Sequence, residues 1–200
     1  MDSKNVGDGL ARSAHAPIVI SSGHGLHVAG ARALMDEVTE ARRVTNRVAQ
    51  LLIGAGRDVV VYHDNTSRNA RDNVNGIVAY HNAQKRLLDV SVHFNAIAGV
   101  RQAGIGTETL YRAGNEKMKS LASQISKAIG AASGLKVRRN DGTLARNDLG
   151  FLNRTNIDSA ILLEICFVNS ETDERLYNTH FNGICERIAH ILYNWPYHSA

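Results

Sequence analysis

The nine residues Ala160-Ile-Leu-Leu-Glu-Ile-Cys-Phe-Val168 form a continuous apolar run broken by one carboxylate. A run this short and this apolar fits a strand buried on both faces, which belongs in the middle of a sheet covered from both sides. Sheets of that kind are assembled from alternating strands and helices. The chain supplies the alternation. Residues 17–21 and 58–62 read as buried strands, residues 34–54 between them carry apolar side chains at helical spacing, and Gly54 and Gly56 stop that pattern. Residues 69–86 read as a second helix, 88–94 and 106–111 as further strands, and 116–132 as an amphipathic helix ending at Gly134. The polar stretch 138–147 reads as a long surface loop, 159–168 as the central strand, and 181–193 as a closing helix before Pro196. The expected fold class is α/β: a single three-layer domain with a mostly parallel sheet flanked by helices.

A chain of 200 residues suits one such domain. With 44% hydrophobic and 21% charged residues it has enough apolar material for a packed core. Residues 1–16, rich in Gly, Ser, Asn and Asp, read as a flexible N-terminal segment without the apolar core of a signal peptide, and residues 17–196 as the folded domain. No stretch approaches the roughly 20 apolar residues needed to span a bilayer, so synthesis in the cytoplasm as a soluble chain is expected. The net charge of +4 favours polyanions without choosing between nucleic acid, anionic lipid and the anionic groups of a bacterial envelope. Cys166 and Cys185 sit in apolar surroundings and read as buried thiols.

Four residues stand out against this background. In parallel sheets reactive groups collect where loops leave the carboxyl ends of strands. His24, in Ser-Ser-Gly-His-Gly, follows the first strand, and its flanking glycines leave room for a sharp turn and an ion; a hydrogen-bonded turn histidine is the plain alternative. On the first helix Glu37 falls about 30° from the centre of the apolar stripe, whereas Glu40 lies about 90° away. An inward carboxylate is costly unless paired or bound to a cation. The alternative is a helix that starts later and leaves Glu37 as an exposed first-turn acid. His93 ends a strand among apolar neighbours, as a core histidine or a ligand. Glu164 interrupts the central run, where either a metal-bound water or a buried arginine such as Arg154 would account for it.

Taken in order, Ile-Val-Ile-Ser-Ser-Gly-His-Gly, the inward Glu37, Asp-Val-Ser-Val-His-Phe-Asn-Ala, Gly-Thr-Glu-Thr-Leu-Tyr and Ala-Ile-Leu-Leu-Glu-Ile-Cys-Phe-Val-Asn resemble the zinc N-acetylmuramoyl-L-alanine amidases of the amidase_3 type. The resemblance spans residues 17–195. It implies a six-stranded sheet, zinc (Zn2+) held by His24, Glu37 and His93, Glu164 as the catalytic base, and peptidoglycan rather than nucleic acid as partner. It also implies a phage-endolysin-like protein that acts on the cell wall after holin-dependent release, with a monomer as the expected state. A loop over residues 150–155 resembles the family's substrate side, where Arg154 would contact stem-peptide carboxylates. In the first motif Ser22 and Leu26 replace the usual proline and last glycine, and in the last motif Asn169-Ser170 inverts the usual pair. Two other readings share these residues: a cell-wall binding module that has lost catalysis, and a zinc peptidase acting on another amide.

Overall fold

The computed structural model describes residues 16–195; residues 1–15 of the expected N-terminal segment, and Pro196 at the expected domain end, lie outside them. The chain runs β1 (Ile18–Ser22), α1 (Glu37–Gly54), β2 (Val59–Tyr62), α2 (Ala70–Asn82), β3 (Leu88–Asn95), β4 (Glu108–Arg112), α3 (Glu116–Ser133), β5 (Thr143–Arg146), α4 (Gly150–Arg154), β6 (Ala160–Phe167) and α5 (Glu171–Tyr193). The strands form a six-stranded sheet in the order β2-β1-β3-β6-β4-β5. Every pairing is parallel except β4 with β6. The α/β expectation therefore holds, with β6 near the centre as its apolar run requires.

The two faces of the sheet are covered unequally. Ile18, Ile20, Val90, Val92, Ile161, Leu163 and Ile165 turn to the main core, where they meet apolar stripes of α1, α3 and α5. The opposite face carries a smaller cluster in which Leu110, Ala160 and Leu162 meet Ile77 of α2 and Phe151 and Leu152 of the five-residue α4. Because strand side chains alternate between faces, His93, Glu164 and Glu108 emerge on this thinly covered side. Cys166 and Cys185 are free and buried, and burial pushes the Cys185 thiol up to about 12.

Helix starts follow from capping side chains that satisfy otherwise unpaired N–H groups. Asp36 accepts from Thr39 N at 2.9 Å, Asn69 from Asp72 N at 2.9 Å, Asn115 from Met118 N at 3.0 Å and Ser170 from Asp173 N at 3.1 Å. Three expectations from the sequence are corrected. The supposed loop at 138–147 contains β5, a four-residue edge strand parallel to β4. The substrate-side loop at 150–155 is mostly the short helix α4. The last helix begins ten residues before residue 181, at Glu171, and passes through non-helical backbone at His180 (φ −112°).

Candidate metal centre

β1 ends at Ser22 and the ladder continues one step further, with Gly23 N donating to Val92 O at 2.9 Å. That bond brings the loop carrying His24 against the end of β3. Glycine is needed at position 23, because a Cβ there would lie 1.9 Å from the His93 imidazole. Residues 30–36 then cross the mouth of the sheet, anchored by Leu34 N and Met35 N donating to Val168 O at 3.0 and 3.3 Å. This anchoring delays α1, so Glu37 is its first residue rather than lying a turn inside. Glu37 is nonetheless only 3% exposed, because the helix points its N-terminus into the gap between the β1 loop and β3.

The convergence is close. His24 Nε2 lies 3.4 Å from Glu37 Oε2, and His93 Nδ1 lies 3.1 Å from Glu37 Oε1. One ligand atom from each of the three residues can be chosen so that all lie within 4.8 Å of one another. Ala31 N donates to Glu37 Oε2 at 2.6 Å and Phe94 N to Oε1 at 3.1 Å, which fixes the carboxylate. Burial works against its charge, but the hydrogen bonds from His24 and His93 and their attraction outweigh that penalty and hold the carboxyl well below its usual range. Ser91, two residues before His93 on the same face, lies 3.1 Å from His93 Nε2 and fixes the ring. Glu40, set aside in favour of Glu37, accepts from the Tyr177 hydroxyl at 2.6 Å and pairs with Arg43.

Two imidazoles and a carboxylate are the donor set of a three-ligand hydrolytic zinc site with an open fourth position. The arrangement fits such an ion on structural grounds as well. His24 Nδ1 is buried without a hydrogen-bond partner among the described residues, and a side chain at Gly30 would intrude on Glu37 and His24. The His24 side chain keeps 26% of its surface exposed, so the cluster opens to solvent.

Glu164 stands in register with His93 on one side and Glu108 on the other. One of its carboxylate oxygens is closed off from solvent with no hydrogen-bond partner among the described residues. Burial pushes this carboxyl well above its usual range; the negative charges of Glu37 and Glu108 act the same way, and Arg146 opposes them. The alternative of a buried Arg154 neutralising it is not what the structure shows. Arg154 is exposed at the end of α4 and donates to Asn75 Oδ1 of α2 at 2.9 Å, outside the His24–Glu37–His93 cluster.

Sequence reasoning assigned no role to Ser91, Gly30 or Glu108. Ser91 and Glu108 sit inside matched motifs, and a serine or carboxylate facing inward on a strand is a readable signal; nothing in the sequence marks Gly30. Beside His93 lies an apolar cavity of about 110 Å³ lined by Ser91, Val74, Ile77, Leu149 and Phe151 among others.

Known proteins share this fold. An uncharacterized protein of Clostridium perfringens is 27% identical over 162 residues, covering 80% of this chain and 46% of the relative, so the chain spans about half the length of that curated relative. The catalytic domain of an endolysin targeting Clostridia difficile superposes with a TM-score of 0.74 at 21% identity, over 90% of this chain and 98% of that one. The CwlD amidase from Clostridioides difficile gives 0.72 at 21% identity, over 90% and 95%. These similarities establish the shared fold. The amidase_3 family model, described as N-acetylmuramoyl-L-alanine amidase, matches residues 18–192. With nearly the whole described domain matched in this way, the chain belongs to the N-acetylmuramoyl-L-alanine amidase family.

Proposed function

We propose that this protein is a peptidoglycan hydrolase that cleaves the amide bond between N-acetylmuramic acid and the first L-alanine of the stem peptide, with zinc held by His24, Glu37 and His93 and with Glu164 as the catalytic base. The observation that carries the reading is the meeting of two imidazoles and a buried carboxylate from three separate elements, one strand away from a half-buried glutamate with one oxygen closed off from solvent and without a hydrogen-bond partner among the described residues. A zinc ion in such a site polarises the carbonyl under attack and lowers the pKa of water. Everything else falls to the chain. Glu37, pinned by two backbone N–H groups, keeps its negative charge between the histidines. Ser91 holds the His93 ring against Glu37. Glu164, whose surroundings raise its affinity for protons, is suited to take the proton of the attacking water and deliver it to the departing alanine nitrogen. Arg154, which donates to Asn75, would contact stem carboxylates.

In the same reading the protein is a monomer that reaches the wall as a phage endolysin does, released from the cytoplasm with the help of a holin. Two observations support that setting. No helix among the described residues is long and apolar enough to cross a membrane, and one similar structure is an endolysin domain.

Digestion of purified sacculi tests the chemistry: new N-terminal alanine is expected without new reducing sugar ends. Glu164→Gln keeps fold and zinc but loses at least about a hundredfold in turnover, in line with the loss of a general base. Near-wild-type turnover in that variant would remove Glu164 from the mechanism. His93→Ala releases the metal, and unchanged zinc stoichiometry by elemental analysis would refute that ligand.

A further inference from the structure

Glu108, from the Gly106-Thr-Glu-Thr-Leu-Tyr111 motif, is a buried carboxylate that the proposed chemistry does not use. It is held by two arginines at once. Arg138 Nε lies 3.0 Å from Oε1 and Arg139 Nε donates to Oε2 at 3.2 Å, while Asn95 of β3 also donates to Oε1 at 3.3 Å. Glu108 thus faces two guanidinium groups. Arg139 donates through Nε, Arg138 Nε lies close to Oε1 without hydrogen-bond geometry, and among the described residues none of their Nη atoms has a hydrogen-bond partner. The other nearby cation, Arg146, is already spent on Asp148 through two bonds of 2.7 and 2.6 Å.

The placement of Arg139 is not incidental. Its backbone is left-handed (φ +54°), a conformation that disfavours side chains other than Gly, Asn and Asp. Its guanidinium is anchored to Glu108 through Nε, and its side chain is 47% exposed. Arg138 packs its guanidinium over the Phe167 ring at 4.7 Å and is fixed as well. A preorganised, unpartnered guanidinium fork is the usual means of gripping a carboxylate through two parallel hydrogen bonds.

Resting on the amidase reading above, we infer that Arg139, supported by Arg138 and Glu108, forms a subsite for a free carboxylate on the second residue of the stem peptide. The scale is right. Glu108, Glu164 and His93 occupy successive rungs of three adjacent strands, which separates the first and last backbones by about 10 Å. A carboxylate on the residue after alanine lies roughly 6 Å from the amide being cleaved, by backbone dimensions. The length of an arginine side chain spans the difference. The subsite makes the enzyme sensitive to whether the second residue is isoglutamate, with its α-carboxylate free, or isoglutamine, in which that group is an uncharged amide.

Two synthetic disaccharide tripeptides differing only at that group test the inference, with release of the peptide followed under steady-state conditions. The zinc-loaded wild type should favour the acid over the amide by about tenfold or more in kcat/KM, with the difference carried by KM. Arg139→Asn keeps a residue that tolerates the left-handed backbone while removing the guanidinium. It should bring the two substrates to within about twofold of each other, through a higher KM for the acid. Arg139→Lys, with the charge but not the fork, should fall between. A wild type that cleaves both substrates equally well overturns the subsite and leaves the amidase reading standing. An Arg139→Asn variant that keeps the acid preference, or that slows both substrates alike, also overturns it. A wild type that cleaves neither refutes the amidase reading, and the subsite falls with it.

Discussion

Gly30→Ala separates the geometry of the proposed zinc site from the stability of the fold. The backbone at residue 30 is not in the left-handed region, so alanine meets no conformational objection and the test is steric. The new Cβ would lie 2.6 Å from Glu37 Oε2 and 3.0 Å from both Glu37 Cδ and His24 Cδ2, where ordinary contact begins near 3.4 Å. A free glutamate end would swing aside at little cost. This one cannot, because Oε2 accepts from Ala31 N at 2.6 Å and Oε1 from Phe94 N at 3.1 Å. Either the carboxylate retreats by several tenths of an ångström and loses one of those bonds, or the loop at 30–36 moves and takes the Glu37 contact with it. Site residues must be held to within about 0.5 Å of productive geometry, so zinc affinity should fall by about 10- to 100-fold, the range seen when supporting groups around a metal are disturbed. Metal-free stability should fall by about 1–3 kcal/mol, as for other overpacked positions. Competition with a chromophoric chelator measures the first, and thermal melting of the metal-free protein the second. Zinc affinity within threefold of wild type, with an unchanged melt, would refute the claim that Gly30 is glycine for the sake of Glu37 and His24.

The companion substitution Gly54→Ala, at the end of α1 with nothing within 4 Å of the new Cβ, should raise stability by about 0.5–1 kcal/mol without touching zinc affinity; a melt below wild type would contradict it. His63, bridging Ser22 Oγ at 2.8 Å and Asn46 Oδ1 at 2.9 Å, is pushed down to about 4 from 6.5 by burial and then by the Arg42 charge. Between those values the unfolded chain binds more protons, so stability present above pH 6.5 is lost as pH falls through 4. His63→Gln should flatten that limb by about 1–2 kcal/mol, after allowing for solvent screening of a half-buried ring; denaturant titrations giving the same loss of stability from pH 7 to 4.5 in both proteins would count against it. Asp173 accepts from the backbone N–H of Ile105, Gly106 and Phe167 at 3.0, 2.8 and 3.2 Å. Asp173→Ala strands all three and should cost about 3–5 kcal/mol in a urea melt, with a loss below 1 kcal/mol showing that the loop re-satisfies them.

What was legible in the sequence was whatever a periodic pattern forces. The apolar run of β6 could only be a central strand, and an acid within it demanded a partner or a use. Glu37 was readable as inward because an 18-residue helix leaves little freedom in the phase of its stripe. The exact start of that helix was not readable. Leu34 and Met35 continue the apolar spacing, yet Val168 O accepts from both of their N–H groups, a partner 133 or more residues away that no local pattern announces. β5 escaped for the opposite reason: Thr143-Leu-Ala-Arg146 is too short and mixed to show a period, and its identity as a strand comes from the neighbouring β4. The first half of α5 did carry a signal, since Ser170 followed three residues later by Asp173 is a capping pattern, but the break at His180 shifts the phase between its halves.

A second constellation shows why residue type and contact alone do not make a site. Ser21 Oγ lies 3.0 Å from His81 Nε2, and His81 Nδ1 lies 2.7 Å from Asp89 Oδ1, the order of a nucleophile, base and orienting acid. All three residues are fully buried, so no carbonyl can approach the serine. Asp89 is also claimed by Arg86, through Nε at 2.5 Å and Nη2 at 2.9 Å, so its charge is compensated before the histidine gains one. The network instead ties α2 to β1 and β3, three residues upstream of His24 and four upstream of His93. Its effect on the proposed site is therefore indirect: it ties the strands that carry or precede those two histidines to α2, from a position that solvent never reaches.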